Sequence, residues 1–368
     1  MHREDILFQM AILYSKNLGP VTFRKMYAYF SSSKNVYYSK YNDLRKFGKK
    51  GEELYTQIQK GHLLERAKKE FIYCQNNNIR ILSFFDENYP KRLKNCHDAP
   101  QILYLLGKSI LNNKRILSIV GTRRCTKYGI DFCNELISEI SSYGVTIVSG
   151  LAFGIDYQSH LKALEFSLPT LGVLGHGHDI IYPQEHKNIA TKMLNTGALL
   201  SEFPSKTKIL PQNFPKRNRI VAGISDATLV IESPQKGGSL ITAKIANLYQ
   251  KDVFALPGNI NSKTSLGCNS LIKSNRAHLI ESCNDIVEIM SWQKEESKLK
   301  KQVKIDLSKL NFKEKLITEC INKNKGISID ELSKTINIAV NKISPILTML
   351  ELDDVIEQLP GNKFCVKI

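Results

Sequence analysis

The chain has 368 residues, 42% of them hydrophobic, which is enough for a sizeable core and two or three domains. Its 52 lysines and arginines exceed its 35 aspartates and glutamates, giving a net charge of +17 and a pI near 9.4, so a polyanion is the first partner to consider. Eight cysteines never pair as C-x-x-C, no window approaches the roughly 18 apolar residues of a membrane helix, and "MHREDILFQM" lacks an apolar export segment; metal clusters, a disulfide framework and a membrane association are not expected, and a soluble cytoplasmic protein with reduced thiols is.

Residues 1–110 alternate short helical patterns ("ILYSKNLGPVTFRKMYAYF", "ELYTQIQKGHLLERAKKEFIYCQNN") with lysine-rich turns, which predicts a small helical domain. Leu18-Gly19-Pro20 reads either as a helix-hairpin-helix turn, whose main-chain amides meet a phosphate, or as an ordinary bundle turn. The first 111 residues hold 19 cations against 10 acids, about half of the net charge, and a solvated basic face explains this as well as a ligand does.

Over residues 111–290 the pattern changes to apolar runs that each end in a glycine-bearing loop and a helical segment. "RILSIVG", "VTIVSG", "TLGVLG", "GALLSEF", "ATLVIES" and "DVFALPG" are the expected strands. Continuous apolar strands separated by helices predict an α/β fold with a doubly wound, mostly parallel sheet covered on both faces. Ligands of such sheets sit outside the carboxyl ends of the strands, where these loops lie.

Strand, glycine loop and helix start together expose backbone N–H groups without intrahelical partners. "VGTRRCTKYG" supplies Gly121, Arg123 and Thr126; "SGLAFGID" supplies Ser149, Gly150 and Gly154; "LGHGHD" supplies Gly175 and Gly177. Each alone reads equally as a tight α/β turn, whereas three in consecutive units suggest a phosphate-lined surface. Neither G-x-G-x-x-G at the first βα turn nor a Walker loop at Gly107-Lys108-Ser109 is present. "NFPKRNRIVAGIS" places Lys216, Arg217, Asn218 and Arg219 at a helix start, with cations expected to project from its first turn and "IVAGIS" expected to be core. "SPQKGGSLITA" adds Lys236 and a fourth glycine turn, Gly237-Gly238-Ser239.

No catalytic residue is assigned. His176 and His178 flank Gly177 without a further ligand cluster, so they are expected to be loop residues rather than metal ligands. Asp156 fits a capping carboxylate at a helix start, and Ser149 sits in no nucleophile elbow. Residues 291–306, "SWQKEESKLKKQVKID", read as a charged linker. Residues 307–368 show helix, helix, turn, helix and a short hairpin, the order of a winged helix; with 14 cations to 11 acids over residues 291–368, this unit suits a protein-binding module as well as a duplex-DNA reader.

Eight segments in order between Val120 and about Ile280, "GTRRCTKYG", "SGLAFGID", "VLGHGHDIIYP", "SEFP", "FPKRNRIVAGIS", "GSLITA", "VFALPG" and "GCNSLI", resemble the DNA-processing protein A (DprA/Smf) family. The resemblance implies an extended Rossmann domain that binds single-stranded DNA, protects it during natural transformation (competence) and loads the RecA recombinase for DNA recombination. It also implies an N-terminal domain of sterile-alpha-motif type, a C-terminal winged helix and a homodimer joined through the Rossmann domain, and it implies no cofactor. Carried onto this sequence, the DNA-binding set is Gly121, Arg123, Thr126, Ser149, Gly150, Gly175, Gly177, Lys216, Arg217, Asn218, Arg219, Lys236, Gly238 and Ser239. Two departures stand out: His186 lies where the family has asparagine after Tyr182-Pro183, and Asn275-Arg276-Ala277 replaces a Gly-Ala pair. The alternatives are a nucleotide-hydrolysing Rossmann enzyme of the phosphoribohydrolase type, whose double-glycine loop "SPQKGGSLITA" partly matches, and a transcription factor reading duplex DNA through the winged helix. "LITAKIANLYQKDVFALP" suits a dimer interface or an ordinary core helix and strand equally.

Overall fold

A computed structural model of the chain describes residues 3–108, 111–294, 311–324, 326–352, 355–359 and 362–366. These form two compact units, 1–293 and 294–368. The linker expected at 291–306 falls mostly outside the described residues.

The first unit opens with six helices: α1 (Arg3–Leu13), α2 (Pro20–Phe30), α3 (Ser33–Tyr37), α4 (Tyr41–Arg45), α5 (Lys49–Gln59) and α6 (His62–Asn76). Pro20 stands at the first position of α2, where its missing N–H costs nothing, so the Leu18-Gly19-Pro20 turn joins α1 to α2. The buried faces of these helices, including Phe8, Phe23, Leu44 and Leu54, share one core with Ile102 and Tyr104 of the sheet. The helical segment is therefore packed onto the sheet through a continuous apolar contact.

The sheet follows as β1 (Arg80–Ser83), α7 (Lys91–Lys94), β2 (Ile102–Gly107), β3 (Ile116–Val120), α8 (Lys127–Ile140), β4 (Thr146–Ser149), α9 (Ile155–Glu165), β5 (Thr170–Leu174), α10 (Lys187–Thr196) and β6 (Ala198–Ser201). After the crossover helix α11 (Asn213–Ile224) come β7 (Ala227–Val230), α12 (Gly238–Leu248), β8 (Asp252–Ala255), α13 (Leu266–Lys273), β9 (His278–Leu279) and α14 (Cys283–Ile289). The strand order is β1-β2-β6-β5-β4-β3-β7-β8-β9. The six expected strands are present and mutually parallel where they pair; β1 and β2 add two antiparallel pairings at one edge, and β9 adds a short parallel strand at the other. β1 and β2 lie in residues whose sequence reads as helical, because "RILS" and "ILYLLG" are short apolar runs that periodicity alone does not assign.

Alternation along the strands builds both covered faces. Ile116 and Val120 of β3 pack with α11 and α12, whereas Leu117 and Ile119 pack with α8 and α14. The chain runs outward from β3 through β4, β5 and β6, then returns through α11 to β7 on the other side of β3. The carboxyl ends of β3 and β7 therefore flank a topological switch point, where such sheets open a crevice.

The second unit contains α15 (Phe312–Asn324), β10 (Ile327–Ser328), α16 (Ile329–Ile336), α17 (Val340–Leu352), β11 (Ile356–Leu359) and β12 (Lys363–Val366), with the three strands ordered β10-β12-β11. Ser328 and Glu331 form a reciprocal capping box that starts α16. Ile317, Leu332, Ile343, Leu347 and Phe364 close its core, giving the winged-helix arrangement.

Candidate functional site

A groove of about 620 Å³ opens at the switch point. It is lined by Gly121, Thr122, Arg123 and Arg124 after β3, by Gly150, Ala152 and Asp156 after β4, by Tyr182, by Pro211, Phe214, Pro215, Arg217 and Asn218 at the start of α11, and by Gly237, Gly238 and Ser239 at the start of α12. Its size suits a nucleotide-sized segment rather than a lone ion.

The loops after β3 and β4 interlock, which explains their glycines. A Cβ on Gly121 would come within 2.5 Å of Ile155, and one on Gly154, whose φ is +76°, would strike the Thr122 carbonyl. The N–H of Ile155 donates to that same carbonyl at 3.3 Å, and the N–H of Thr122 donates to the Glu232 carbonyl at 2.7 Å. Two further glycines back the wall instead of lining it: Gly175 makes room for the Phe214 ring, and Gly177 lies beneath Pro204 and Ser205.

At the floor, Arg217 is buried, with 4% of its surface exposed. Its Nη1 donates to the Gly150 carbonyl at 2.5 Å and to the Val173 carbonyl, joining the ends of β4 and β5, and its Nε donates to Asn218 Oδ1 at 3.3 Å. Asp156, also buried, accepts the N–H groups of Gly150 (3.1 Å) and Ala152 (3.4 Å). Burial is the largest influence on both ions: it raises the Asp156 carboxyl, with the Arg217 charge pulling the other way, and it lowers the Arg217 guanidinium, with Asp156 opposing. Starting so high, Arg217 keeps its charge near neutral pH. Both hold Gly150, Arg217 through its carbonyl and Asp156 through its N–H, so together they fix the floor, with an electrostatic attraction between them across this main-chain link.

The cations expected to project together from α11 thus part company. Lys216 is exposed but off the groove lining; Arg217 points into the floor; Arg219 turns to the opposite side, donating to Glu202 and to the Asp98 carbonyl. "IVAGIS" is core, with Ile220, Val221, Ala222 and Ile224 buried. The exposed cations over the groove are Arg123 and Arg124, whose guanidinium groups have no hydrogen-bond or ion-pair partner among the described residues. Lys236 is exposed beside the α12 turn, outside the lining.

The helix starts differ in the same way. Thr126 caps α8, and its N–H (2.7 Å) and hydroxyl (2.8 Å) donate to the buried Glu232 carboxylate, which also accepts from Thr264 at 2.9 Å. A protein carboxylate thus occupies the place where an anion would meet α8. Ser149 is buried and donates to the Ile119 carbonyl at 2.6 Å. By contrast α12 begins at Gly237 with no side-chain cap; a Cβ on Gly238 would meet open space, and Ser239 donates to Ser233 at 2.8 Å. The N–H groups of Gly237 and Leu240 donate to the Pro234 (2.9 Å) and Gly237 (3.2 Å) carbonyls, whereas those of Gly238 and Ser239, which line the groove, have no hydrogen-bond acceptor among the described residues, the arrangement that receives an anion.

Opposite lie two aromatic rings, Tyr182 and Phe214, with centroids 5.9 Å apart; Tyr182 is 42% exposed. Sequence reasoning fixed on the lysines and arginines of "NFPKRNR" and passed over the Phe beside them, and it left out Arg124 and Tyr182. The signal available was an aromatic residue interleaved with cations, the composition of a surface that takes both bases and phosphates. His176 and His178 are engaged by main chain, His176 Nδ1 with the Gly177 carbonyl at 2.8 Å and His178 Nε2 with the Tyr104 carbonyl at 2.9 Å. Burial lowers both, His178 to about 4, so both imidazoles are neutral. His186, at the departure from the family pattern, is buried with Nδ1 2.9 Å from the Leu151 carbonyl, and it packs against the rings of Phe153 and Tyr157.

Comparison with known proteins matches residues 80–291 to the family described as DNA recombination-mediator protein A, and residues 313–362 to the DprA winged helix domain. Protein Smf of Synechocystis sp. is 34% identical over 282 residues, 74% of this chain and 69% of its own length. DNA processing protein DprA of Bacillus subtilis is 39% identical over 215 residues, 58% of this chain and 72% of its own. Among solved structures, DNA processing protein A of Streptococcus pneumoniae superposes with a TM-score of 0.66 at 31% identity, covering 78% of this chain and 98% of that one. A structure on the single-stranded DNA binding mode of DNA processing protein A from Helicobacter pylori gives 0.53 at 29% identity, covering 59% and 99%. With more than half of the chain matched across the sheet that carries the groove, the protein belongs to the DNA-processing protein A (DprA/Smf) family.

Proposed function

We propose that this chain processes DNA by binding a single strand in the switch-point groove, without catalysing a reaction on it. The observation that carries the reading is the pairing of two walls: unpartnered Arg123 and Arg124 with the open start of α12 on one side, and the Tyr182 and Phe214 rings on the other. Phosphates meet the first wall through charge and amides, and bases lean on the second. The relative from Helicobacter pylori whose structure concerns single-stranded DNA supports the choice of ligand. Within the DNA-binding set, Arg123, Gly121, Gly150, Asn218, Gly238 and Ser239 line the strand's path; Arg217, Thr126, Ser149, Gly175 and Gly177 hold that path in shape; Lys216, Arg219 and Lys236 lie outside its lining.

The carboxylates near the groove favour binding over hydrolysis. Asp156 is held by two amides and faced by Arg217, and Glu232 is turned to Thr126 and Thr264, so both are occupied by structural partners. In the same proposal residues 1–110, 111–290 and 307–368 serve as helical, DNA-binding and winged-helix parts joined by the 291–306 linker. The protein works in the cytoplasm as a homodimer that shields incoming single strands during natural transformation and passes them to the RecA recombinase. Fluorescence anisotropy with labelled oligo-dT between 50 and 300 mM salt tests the core claim: affinity should fall steeply with salt. A flat salt response, or release of free base from a nucleoside monophosphate, would point to another function.

A further inference from the structure

The segment between β6 and α11 has no regular structure from Glu202 to Gln212, yet it delivers Pro211 and Phe214 to the groove wall. Its grip comes from the N-terminal helices. Glu70 of α6 is 8% exposed, and both its carboxylate oxygens hold one residue: Oε1 accepts the Ser205 N–H at 2.8 Å and Oε2 accepts the Ser205 hydroxyl at 2.5 Å. Beneath Ser205 lies Gly177, where a Cβ would come within 2.8 Å of the Ser205 Cα. Ser205 is therefore clamped between α6 and the loop after β5. Beyond it the hydrogen bonds of the described residues are local, from the Thr207 hydroxyl to the Pro204 carbonyl (2.6 Å), from the Asn213 side chain to the Lys208 carbonyl (3.2 Å) and from the Asn213 and Phe214 N–H groups to the Leu210 (3.0 Å) and Pro211 (3.4 Å) carbonyls, and Ile209 and Leu210 are more than a third exposed.

We propose that Glu70 is a positioning residue for the groove: the helical segment, through this one carboxylate, sets the strap Ser205–Gln212 and so the place of the Phe214 wall against which a single strand lies. A buried carboxylate receiving two donors from one residue specifies geometry as well as strength, and a strap without it samples positions in which the wall is not formed. Apparent affinity then falls by the fraction of time the wall is in place. The inference rests on the groove being the single-strand site.

The test uses the full chain with Glu70→Ala, and with Ser205→Ala, which leaves the helical core untouched. Without DNA, trypsin cleavage at the exposed Lys206 and Lys208 is followed by mass spectrometry; with DNA, oligo-dT anisotropy is measured across salt. Faster cleavage at these two lysines is expected in Glu70→Ala, together with roughly tenfold weaker binding at an unchanged salt slope, since no phosphate contact is removed. Ser205→Ala should move both readouts the same way by less. Cleavage at the wild-type rate in both variants overturns the clamp. Faster cleavage with unchanged affinity, in a protein whose Phe214→Ala variant binds weakly, overturns the coupling. Affinity indifferent to Glu70→Ala and Phe214→Ala alike overturns the groove reading itself, and the coupling with it.

Discussion

Arg217→Ala separates the two roles an arginine can play at this groove. If Arg217 were a ligand contact, its loss would weaken DNA binding and leave the fold intact. Its geometry says otherwise: the change removes the only described side-chain donor to the Gly150 and Val173 carbonyls and leaves Asp156 buried without its cation. Leaving two buried carbonyls without this donor, at about 1–3 kcal/mol each, beside a buried carboxylate that loses a nearby cation costs on the order of 3–5 kcal/mol, a large part of the ~5–15 kcal/mol that holds a domain together. The chain's single tryptophan, Trp292, packs against the α8 face of the same unit and reports its unfolding. With a urea slope on the order of 3 kcal/mol/M, the midpoint should drop by roughly 1 to 1.7 M. The deficit should also depend on pH. A carboxyl whose folded pKa is raised above its unfolded value binds protons more tightly in the native state, so stability falls as pH rises through the interval between the two values and returns as pH falls. Losing Arg217 removes an influence that lowers Asp156, so the native carboxyl rises further in the variant. The gap between wild type and variant should therefore narrow from pH 7 toward about 4, near the unfolded carboxyl value. Adding Asp156→Asn should recover part of the loss at pH 7. An unmoved urea midpoint beside a tenfold or greater loss of oligo-dT affinity would refute this reasoning and return Arg217 to the ligand.

Arg123→Ala and Arg124→Ala should each weaken oligo-dT binding by about 1–3 kcal/mol and reduce the salt slope by roughly 0.7, with the Trp292 unfolding midpoint unchanged; an unaltered slope would place the phosphates elsewhere. Phe214→Ala should cost about 1–3 kcal/mol of binding at constant slope, because stacking rather than charge is lost; a changed slope in the same anisotropy titration would contradict a stacking role. Thr126→Ala should cost ~1 kcal/mol of stability through the lost helix cap and leave affinity in place, so a binding defect without a stability defect would assign Thr126 to the ligand. Deleting residues 300–368 should leave oligo-dT binding within about threefold, or ~0.7 kcal/mol; abolished binding would move recognition to the winged helix.

Six strands of the sheet were legible because each is a short, mostly apolar run, four of them closed by glycine, set between helical patterns, as suits strands buried on both faces. β1 and β2 were not, since "RILS" and "ILYLLG" sit among helical patterns and their pairing is antiparallel and non-local. The glycine loops were legible as loops but not as to purpose. A glycine relieves a clash at Gly121, Gly154, Gly175 and Gly177 and leaves open space at Gly238, and the letter G is the same in both cases. The sequence also could not show that Glu232, more than a hundred residues along the chain, already satisfies the start of α8.

Arg217 is different, because its fate was written in the helical period. Residues 217, 220, 221 and 224 follow the i, i+3, i+4, i+7 spacing of a buried stripe, and Ile220, Val221 and Ile224 are the apolar members of it. A cation in register with that stripe must enter the interior and find partners there, whereas Lys216 and Arg219, one residue before and two after, fall on other faces. Reading "KRNR" as a block of charge hid this; reading it by phase gives one exposed lysine, one buried staple and one arginine turned toward Glu202. The positive potential of the groove then has to come mainly from Arg123 and Arg124 on the neighbouring loop, which makes the loop after β3, more than the helix start of α11, the place where charge reversal should abolish binding.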